Sequence, residues 1–204
     1  MRPCNRSFPR DATTCSFFLP PCSLVFVCGR GQVPIYSRMN PLPDDARHAN
    51  RSGPIIRMTT ERGFFYVQLF PDAAPKHCER IVRLVEEGFY DGIRFHRIEP
   101  KFVAQVGDPK SREGVDQPGV GSGGSSYPDL PLEVNRAYKN ERGSLAMART
   151  DDPNSANSQF YFVLENAPFL DMKYTVFGRV LDDGMTVVDQ IRRGDSLQAV
   201  VIKK

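Results

Sequence analysis

Over residues 54–204, apolar and polar positions alternate in short runs broken by glycine and charged clusters, the period of strands with one buried face. Ile55-Ile56-Arg57-Met58-Thr59 and Phe64-Phe65-Tyr66-Val67-Gln68-Leu69 flank Glu61-Arg62-Gly63, which reads as a β-hairpin with a glycine-containing turn. In the second run Phe65, Val67 and Leu69 alternate with Tyr66 and Gln68, so the first set is expected to be buried. Further β-like runs lie at 93–98, 102–106, 144–148, 159–164, 174–180 and near 197–203.

Two stretches carry the other period. After Ala74, Pro75 suits a first helical turn, where its missing N–H costs nothing. Cys78, Ile81, Leu84 and Val85 share one face at helical spacing, and Gly88 supplies the stop. His77 on this helix is expected to face solvent. A second helix fits Met185 to Ile191, between Gly184 and Gly194. Eight short strands and two helices predict a mainly β fold, a closed eight-stranded antiparallel β-barrel. The two α-helices would cap its open ends. The stretch from Gly107 to Pro131 is long, rich in glycine and serine, and without apolar period, so it is expected to be functional or mobile.

Residues 1–53 are a different kind of sequence. Seven of the 27 basic and three of the 24 acidic side chains lie there, leaving 20 and 21 in an almost neutral body. A nucleic-acid binder would carry a basic face, so nucleic acid is not an expected partner. Cys4, Cys15, Cys22 and Cys28 lie in the leader and only Cys78 in the body, which is expected to fold without disulfides. Cys78 reads as a small helix residue rather than a nucleophile. The apolar run Cys15–Cys28 behind Arg2, Arg6 and Arg10 has the layout of a secretory signal. Asp11 and Pro20-Pro21 interrupt that layout, and the run is too short to span a bilayer. Residues 34–54 read as a flexible linker. Three readings stay open: a signal or lipid-attachment sequence, a disordered tail, or upstream sequence from too early a start codon, with Met39 and Met58 as alternatives. The expected division is therefore 1–53 leader and linker, 54–204 folded domain. A cytoplasmic monomer with no stable membrane span is expected, with export or membrane anchoring if residues 1–30 are a genuine signal.

Several motifs fail on context. Gly119-Val-Gly121-Ser-Gly-Gly124 matches the dinucleotide fingerprint, but no strand precedes it and Tyr127-Pro128-Asp129 stands where a helix would follow. His48, His77 and His96 have no spacing that would assemble a metal site with Cys78. No G-x-S-x-G elbow is present. No cofactor and no metal are expected.

Phe95-His96-Arg97-Ile98-Glu-Pro-Lys-Phe102-Val103-Ala104-Gln105-Val106-Gly107-Asp108 resembles the signature of cyclophilins. The resemblance continues through Gly121-Ser-Gly-Gly124 and Gly143-Ser-Leu-Ala-Met147-Ala148. It returns in Asn157-Ser158-Gln159-Phe160-Tyr161-Phe162, then Phe169-Leu170-Asp171 and Tyr174-Thr-Val-Phe177-Gly178. The blocks fall in family order over roughly residues 54–204. The resemblance implies a peptidyl-prolyl cis-trans isomerase that assists protein folding. Its partners would be proline-containing segments of unfolded or flexible proteins. It implies Arg97, Gln105 and Phe102 as catalytic residues. Arg97 would donate to the proline nitrogen of the twisted amide, and Gln105 would bind substrate backbone and orient the arginine. Phe102, Val103, Tyr161 and Leu170 match the apolar positions around the proline ring. Gly121, Ala148, Gln159, Phe169 and Tyr174 match further groove positions. His96 reads as a structural strand residue.

Departures from the family pattern are local. Phe169 stands for the tryptophan of many eukaryotic members, Tyr174 for a histidine and Tyr161 for a phenylalanine. Val103 and Val106 stand where methionine and glycine are common. The Arg149-Thr150-Asp151-Asp152 segment is one residue longer than the commonest version. These changes look like bacterial members. Two other classes stand as alternatives: a cyclophilin-like module that grips proline segments without turning them, and a hollow small-ligand barrel of lipocalin type.

Phe169 generates a prediction. The family's tryptophan donates its indole N–H to a carbonyl of the cyclic peptide inhibitor cyclosporin, and phenylalanine has no donor. A buried acceptor left unpaired costs about 1–3 kcal/mol, roughly five- to 150-fold in affinity. The protein should therefore resist cyclosporin, and Phe169→Trp should recover part of the affinity. Tight inhibition of the unmodified protein in a titration would contradict this.

Overall fold

A computed structural model describes residues 53–204. They belong to the second of two compact units, Leu42–Lys204. The alternative readings of the leader fall on residues 1–52, outside the described residues.

The expected hairpin forms from β1 (Ile55–Thr60) and β2 (Gly63–Leu69), joined by Glu61 and Arg62. The other strands are β3 (Ile93–Arg94), β4 (Arg97–Glu99), β5 (Val103–Val106), β6 (Ser144–Met147), β7 (Phe160–Val163), β8 (Val176–Val180) and β9 (Ser196–Lys203). All pair antiparallel in the order β3-β9-β1-β2-β8-β6-β7-β5-β4, a mainly β, curled nine-stranded sheet that forms a half-barrel.

The ninth strand corrects the expectation of eight. The run at 93–98 divides into β3 and β4 because Phe95 and His96 are both buried, which breaks the alternation of a strand. Their backbone groups bond to a turn instead. Phe95 N–H donates to Asp195 O (2.9 Å), and Gly194 N–H donates to Phe95 O (2.9 Å). The order thus begins at β3 and ends at β4, with no ladder bonds between them.

The first helix, α1 (Pro75–Glu86), buries Cys78, Ile81, Leu84 and Val85 as its spacing predicts. His77 departs from expectation: it is fully buried, and its Nδ1 lies 2.7 Å from Glu133 Oε2. The Glu133 carboxylate also accepts from His77 N–H at 3.2 Å. Ala74 offers no side-chain cap, so a distant glutamate takes that place at the positive end of the helix. Burial pushes the Cys78 thiol up to about 12, which keeps it un-ionised at neutral pH. The second helix, α2 (Met185–Val188), is shorter than its pattern. Beyond it the chain tightens into i−3 bonds, from Gln190 N–H to Val187 O and from Ile191 N–H to Val188 O.

Alternation along the strands sorts side chains into two buried clusters. One holds Met58, Phe65, Phe95, Ala104, Val106, Leu145, Met147, Phe160, Phe162 and Phe177, with Ile81 and Leu84 of α1 and Val188 of α2. This interior is filled with aromatic rings, so the hollow barrel of lipocalin type is not the fold. The other cluster holds the intervening residues Val103, Ala146, Tyr161, Val163 and Val176. Strands β6 and β7 are therefore buried at every position.

Two predictions follow from this packing. Phe162 is fully buried and edge-on to Phe65 and Phe160, with centroids 5.5 and 5.6 Å away. Phe162→Ala should cost about 3–5 kcal/mol in denaturant unfolding, and a loss below 1 kcal/mol would mean the interior is not close-packed there. The second concerns acid. Burial lowers the pKa of His77, against the pull of Glu133, and that of His96, against the pull of Asp108. Both therefore resist protonation in the native protein, whereas the unfolded chain takes up protons below about pH 6.5. Stability should therefore fall as pH drops below that value, by up to about 1.4 kcal/mol per pH unit per histidine. Urea melts of His77→Gln between pH 7 and 5 should show a shallower slope than the parent. An unchanged slope would place the proton on His77 in the folded state.

Candidate active-site groove

Register alone lays a row of side chains across the outer face of the sheet. Arg97 on β4 pairs with Gln105 on β5, and Gln105 pairs with Tyr161 on β7. Tyr161 pairs with Ala146 on β6, and Ala146 with Val176 on β8. Directly opposed residues share a face, so a cation, an amide, a phenol and two small apolar groups stand in line.

Around the apolar end of the row the second buried cluster forms a floor, and Phe102, Ala148, Leu170 and Tyr174 pack against its edges. The Phe102 ring stacks on Phe169, with centroids 5.7 Å apart and planes at 28°. Phe169 is 60% exposed, a large apolar ring held at the surface. Tyr174 meets Tyr161 edge-on at 6.0 Å, and the Arg149 guanidinium lies 4.6 Å from the Tyr174 ring centre. Burial pushes the Tyr161 hydroxyl pKa up, so the group stays protonated and can donate. It does so to Asn140 Oδ1 at 3.2 Å.

The polar end is an amide relay. Gln159 Nε2 donates to Gly121 O (3.0 Å) and Gly123 O (2.8 Å), and Gln105 Nε2 donates to Gln159 Oε1 (2.9 Å). Carbonyls only accept, so the glycine loop fixes which way Gln159 faces, and Gln159 fixes Gln105. Gln105 Oε1 is left without a partner among the described residues. The loop is anchored by the buried Asp108 carboxylate, which accepts from the N–H groups of Lys110 (2.8 Å), Gly121 (2.5 Å) and Gly123 (3.0 Å). A Cβ on Gly123 would stand 2.1 Å from Asp108 Oδ1, so this loop needs glycine there. A cavity of about 330 Å³ opens between Gln105, Gly121, Ala148, Asn157 and Gln159.

Arg97 is half exposed, and its nearest ionic partner is Glu99 Oε1 at 3.5 Å, too long for a firm bond. Gln105 and Arg97 are cross-strand neighbours, and no hydrogen bond joins them. The Gln105 amide nitrogen is already held by Gln159. His96 is buried beside Arg97, and neither ring nitrogen has a hydrogen-bond partner among the described residues. A larger cavity, about 480 Å³, lies on the opposite side of β4 against Ile98, Ala104, Leu164 and Ile191, and none of the row's side chains lines it.

The residues singled out from sequence thus fall into two contiguous sets. Phe102, Val103, Ala148, Tyr161, Phe169, Leu170 and Tyr174 make the apolar part, and Gln105, Gly121 and Gln159 the polar part, with Arg97 at the end of the row. Sequence reasoning missed the anchoring work of Asp108, although Asp-Pro is a turn signal. It missed Asn140 entirely, because a lone asparagine in the polar stretch Lys139-Asn140-Glu141-Arg142 carries no pattern.

Known proteins resemble this chain in sequence and in fold. Residues 55–204 match the family profile "Cyclophilin type peptidyl-prolyl cis-trans isomerase/CLD". A "Probable peptidyl-prolyl cis-trans isomerase" of Brucella suis is 46% identical over 140 residues, covering 67% of this chain and 70% of that protein. A "Peptidyl-prolyl cis-trans isomerase" of Helicobacter pylori is 35% identical over 143 residues, covering 70% and 82%. Among solved structures, a Cryptosporidium parvum cyclophilin superposes with TM-score 0.64 at 26% identity, covering 75% of this chain and 99% of that one. A cyclophilin from Hirschia baltica gives 0.62 at 25% identity, covering 72% and 73%. A profile match over the whole described fold, with relatives at this identity, means that the chain belongs to the cyclophilin-type peptidyl-prolyl cis-trans isomerases and is an enzyme of that activity.

Proposed function

We propose that the row from Arg97 to Val176 is the groove in which an X–Pro bond is turned, by stabilising the twisted amide without covalent chemistry. The observation that carries this is a half-exposed, weakly paired guanidinium in register with a free amide oxygen and an apolar floor. The proline ring enters between Phe102, Val103, Tyr161 and Leu170, and Phe169 and Tyr174 extend that wall. The residues before the proline lie along Gly121, Ala148 and Gln159.

Rotation about an X–Pro bond meets a barrier of about 20 kcal/mol because twisting removes amide resonance. No bond is broken, so the enzyme has only to bind the twisted form better than either planar form. The twisted nitrogen regains its lone pair and becomes an acceptor. Arg97 donates to it, and Gln105 holds the substrate backbone through its free oxygen. A hydrogen bond to a charged group contributes about 1.5–3 kcal/mol, and a thousandfold acceleration needs about 4 kcal/mol. Arg97 alone falls short, and the remainder comes from Gln105 and from the exclusion of water around the turning carbonyl, which strengthens both hydrogen bonds, while the wall holds the ring in planar and twisted forms alike.

The substrates are proline-containing segments of unfolded or flexible proteins. In support, the Cryptosporidium parvum cyclophilin was also crystallised in the presence of the dipeptide Ala-Pro. Residues 54–204 are proposed as the isomerase domain, in keeping with the profile match at 55–204, and the enzyme is proposed to act as a monomer without nucleic acid. Closure of the half-barrel is also proposed, supported by the two-residue link, Phe95-His96, between the terminal strands β3 and β4. No helix among the described residues is long and apolar enough to cross a membrane; a cytoplasmic location is proposed, with export if residues 1–30 act as a signal.

Arg97→Ala should lower kcat/KM strongly in a folded protein. Arg97→Lys should not restore it, because an ammonium lacks the planar fork. Proline-isomerisation assays with a short uncharged peptide should also give rates nearly flat from about pH 6 to 8.5, since the mechanism transfers no proton and burial lowers the pKa of His96. Parent-like activity in either variant, or a bell-shaped profile, would overturn the mechanism.

A further inference from the structure

We propose that Asn140 is a positioning residue for the proline-binding wall. The segment from Ala167 to Asp171 carries both Phe169 and Leu170, and its 3₁₀ turn, Pro168–Leu170, has no buried residue of its own. Asn140, only 2% exposed, holds it at both ends. Ala167 N–H donates to Asn140 O at 2.8 Å. At the other end, Asn140 N–H and Nδ2 both donate to Asp171 Oδ1, at 2.8 and 3.2 Å.

A carboxylate oxygen with no proton can only accept, so Asp171 dictates that the amide nitrogen of Asn140 faces it. Asn140 Oδ1 is thereby turned to the hydroxyl of Tyr161, which donates at 3.2 Å. One buried asparagine thus ties the wall segment to the pocket floor. The Tyr161 hydroxyl is committed inward to this clamp, which gives a use for tyrosine at a position where the ring alone would serve the floor. Met172, next in the chain, sits at φ 60, a left-handed conformation that a non-glycine residue holds only when its surroundings fix it.

The clamp has a kinetic signature, on the reading that Phe102, Tyr161 and Leu170 grip the proline ring. That ring stays in place while the preceding carbonyl turns, so the wall binds planar and twisted forms alike. Loss of such uniform binding raises KM and leaves kcat alone. Arg97, by contrast, acts on the twisted form and appears in kcat.

The test uses the full chain. Asn140→Ala should raise KM about tenfold, the scale of a broken buried hydrogen bond, with kcat within about twofold of the parent. Asp171→Ala should do the same, whereas Asp171→Asn, which keeps an acceptor oxygen, should stay near the parent. The chain has no tryptophan, so Phe169→Trp places a single reporter on the wall, and adding Asn140→Ala should speed its anisotropy decay in the folded protein. Global weakening alone would move neither KM nor the decay below the melting range. If Asn140→Ala does not fold, the Asp171 pair carries the same comparison. Parent-like KM and decay in the folded variants would overturn the proposal, as would a fall in kcat at unchanged KM. Leu170→Ala separates the two readings. If it leaves KM unchanged the wall does not bind proline and the site reading fails; if it raises KM while Asn140→Ala and Asp171→Ala do not, the clamp fails.

Discussion

The rest of the structure depends on central strands that are dry on both faces. In β6 and β7, Leu145, Met147, Phe160 and Phe162 point to the aromatic interior, and Ala146, Tyr161 and Val163 point into the floor of the groove. An ordinary half-exposed antiparallel strand would put polar side chains on that second face. Here Val103, Tyr161 and Val163 are buried instead, although they lie on the side proposed to meet substrate. Burying one such side chain contributes roughly 1.5–3 kcal/mol, so the binding surface is also part of what keeps the protein folded. A one-residue slip in register would exchange the two sets and destroy core and groove together.

That constraint decides where charge can go. A guanidinium within the dry floor would lose its water at a cost of several kcal/mol. Arg97 instead sits on β4, the last strand of the order, where it is half exposed and hydrated. Its Coulomb interactions are weak in that state and would strengthen under the proposed binding of a segment over it. The polar half of the groove follows the same logic by other means. Its amides stay at the rim, and each is oriented by a backbone carbonyl or another amide, back to the buried Asp108.

What the sequence made legible follows from these forces. Strands and α1 could be read because the period of apolar residues is set by the same burial that forms them. Phe102, Tyr161 and Leu170 could be recognised only through their motif, since an apolar residue looks the same in sequence whether it packs in the core or lines a groove. The split of 93–98 into β3 and β4 was not legible, because it rests on backbone bonds to Gly194 and Asp195 about a hundred residues on. His77 escaped for a related reason: its partner Glu133 is remote in the chain, so the helix pattern left it facing water. Asn140 is the extreme case, with bonds to Tyr161, Ala167 and Asp171, none of them local.

Isomerisation asks less movement of a protein than most reactions, and this site is arranged accordingly. On the proposed reading only the substrate's preceding carbonyl must swing, through the space above Gln105 and Ala148. A frame whose dipoles are set during folding need not reorganise as that happens, which is the condition for electrostatic stabilisation to be effective. The remote bonds that escaped sequence reading are the ones that set this frame. Asp108 fixes the glycine loop and, through Gln159, the Gln105 amide proposed to receive the substrate backbone. Asn140 fixes the opposite wall. Motif residues define what the groove touches, and these unpatterned polar residues define how firmly it holds its shape, so relatives with the same motif can differ in substrate affinity through positions the motif does not include.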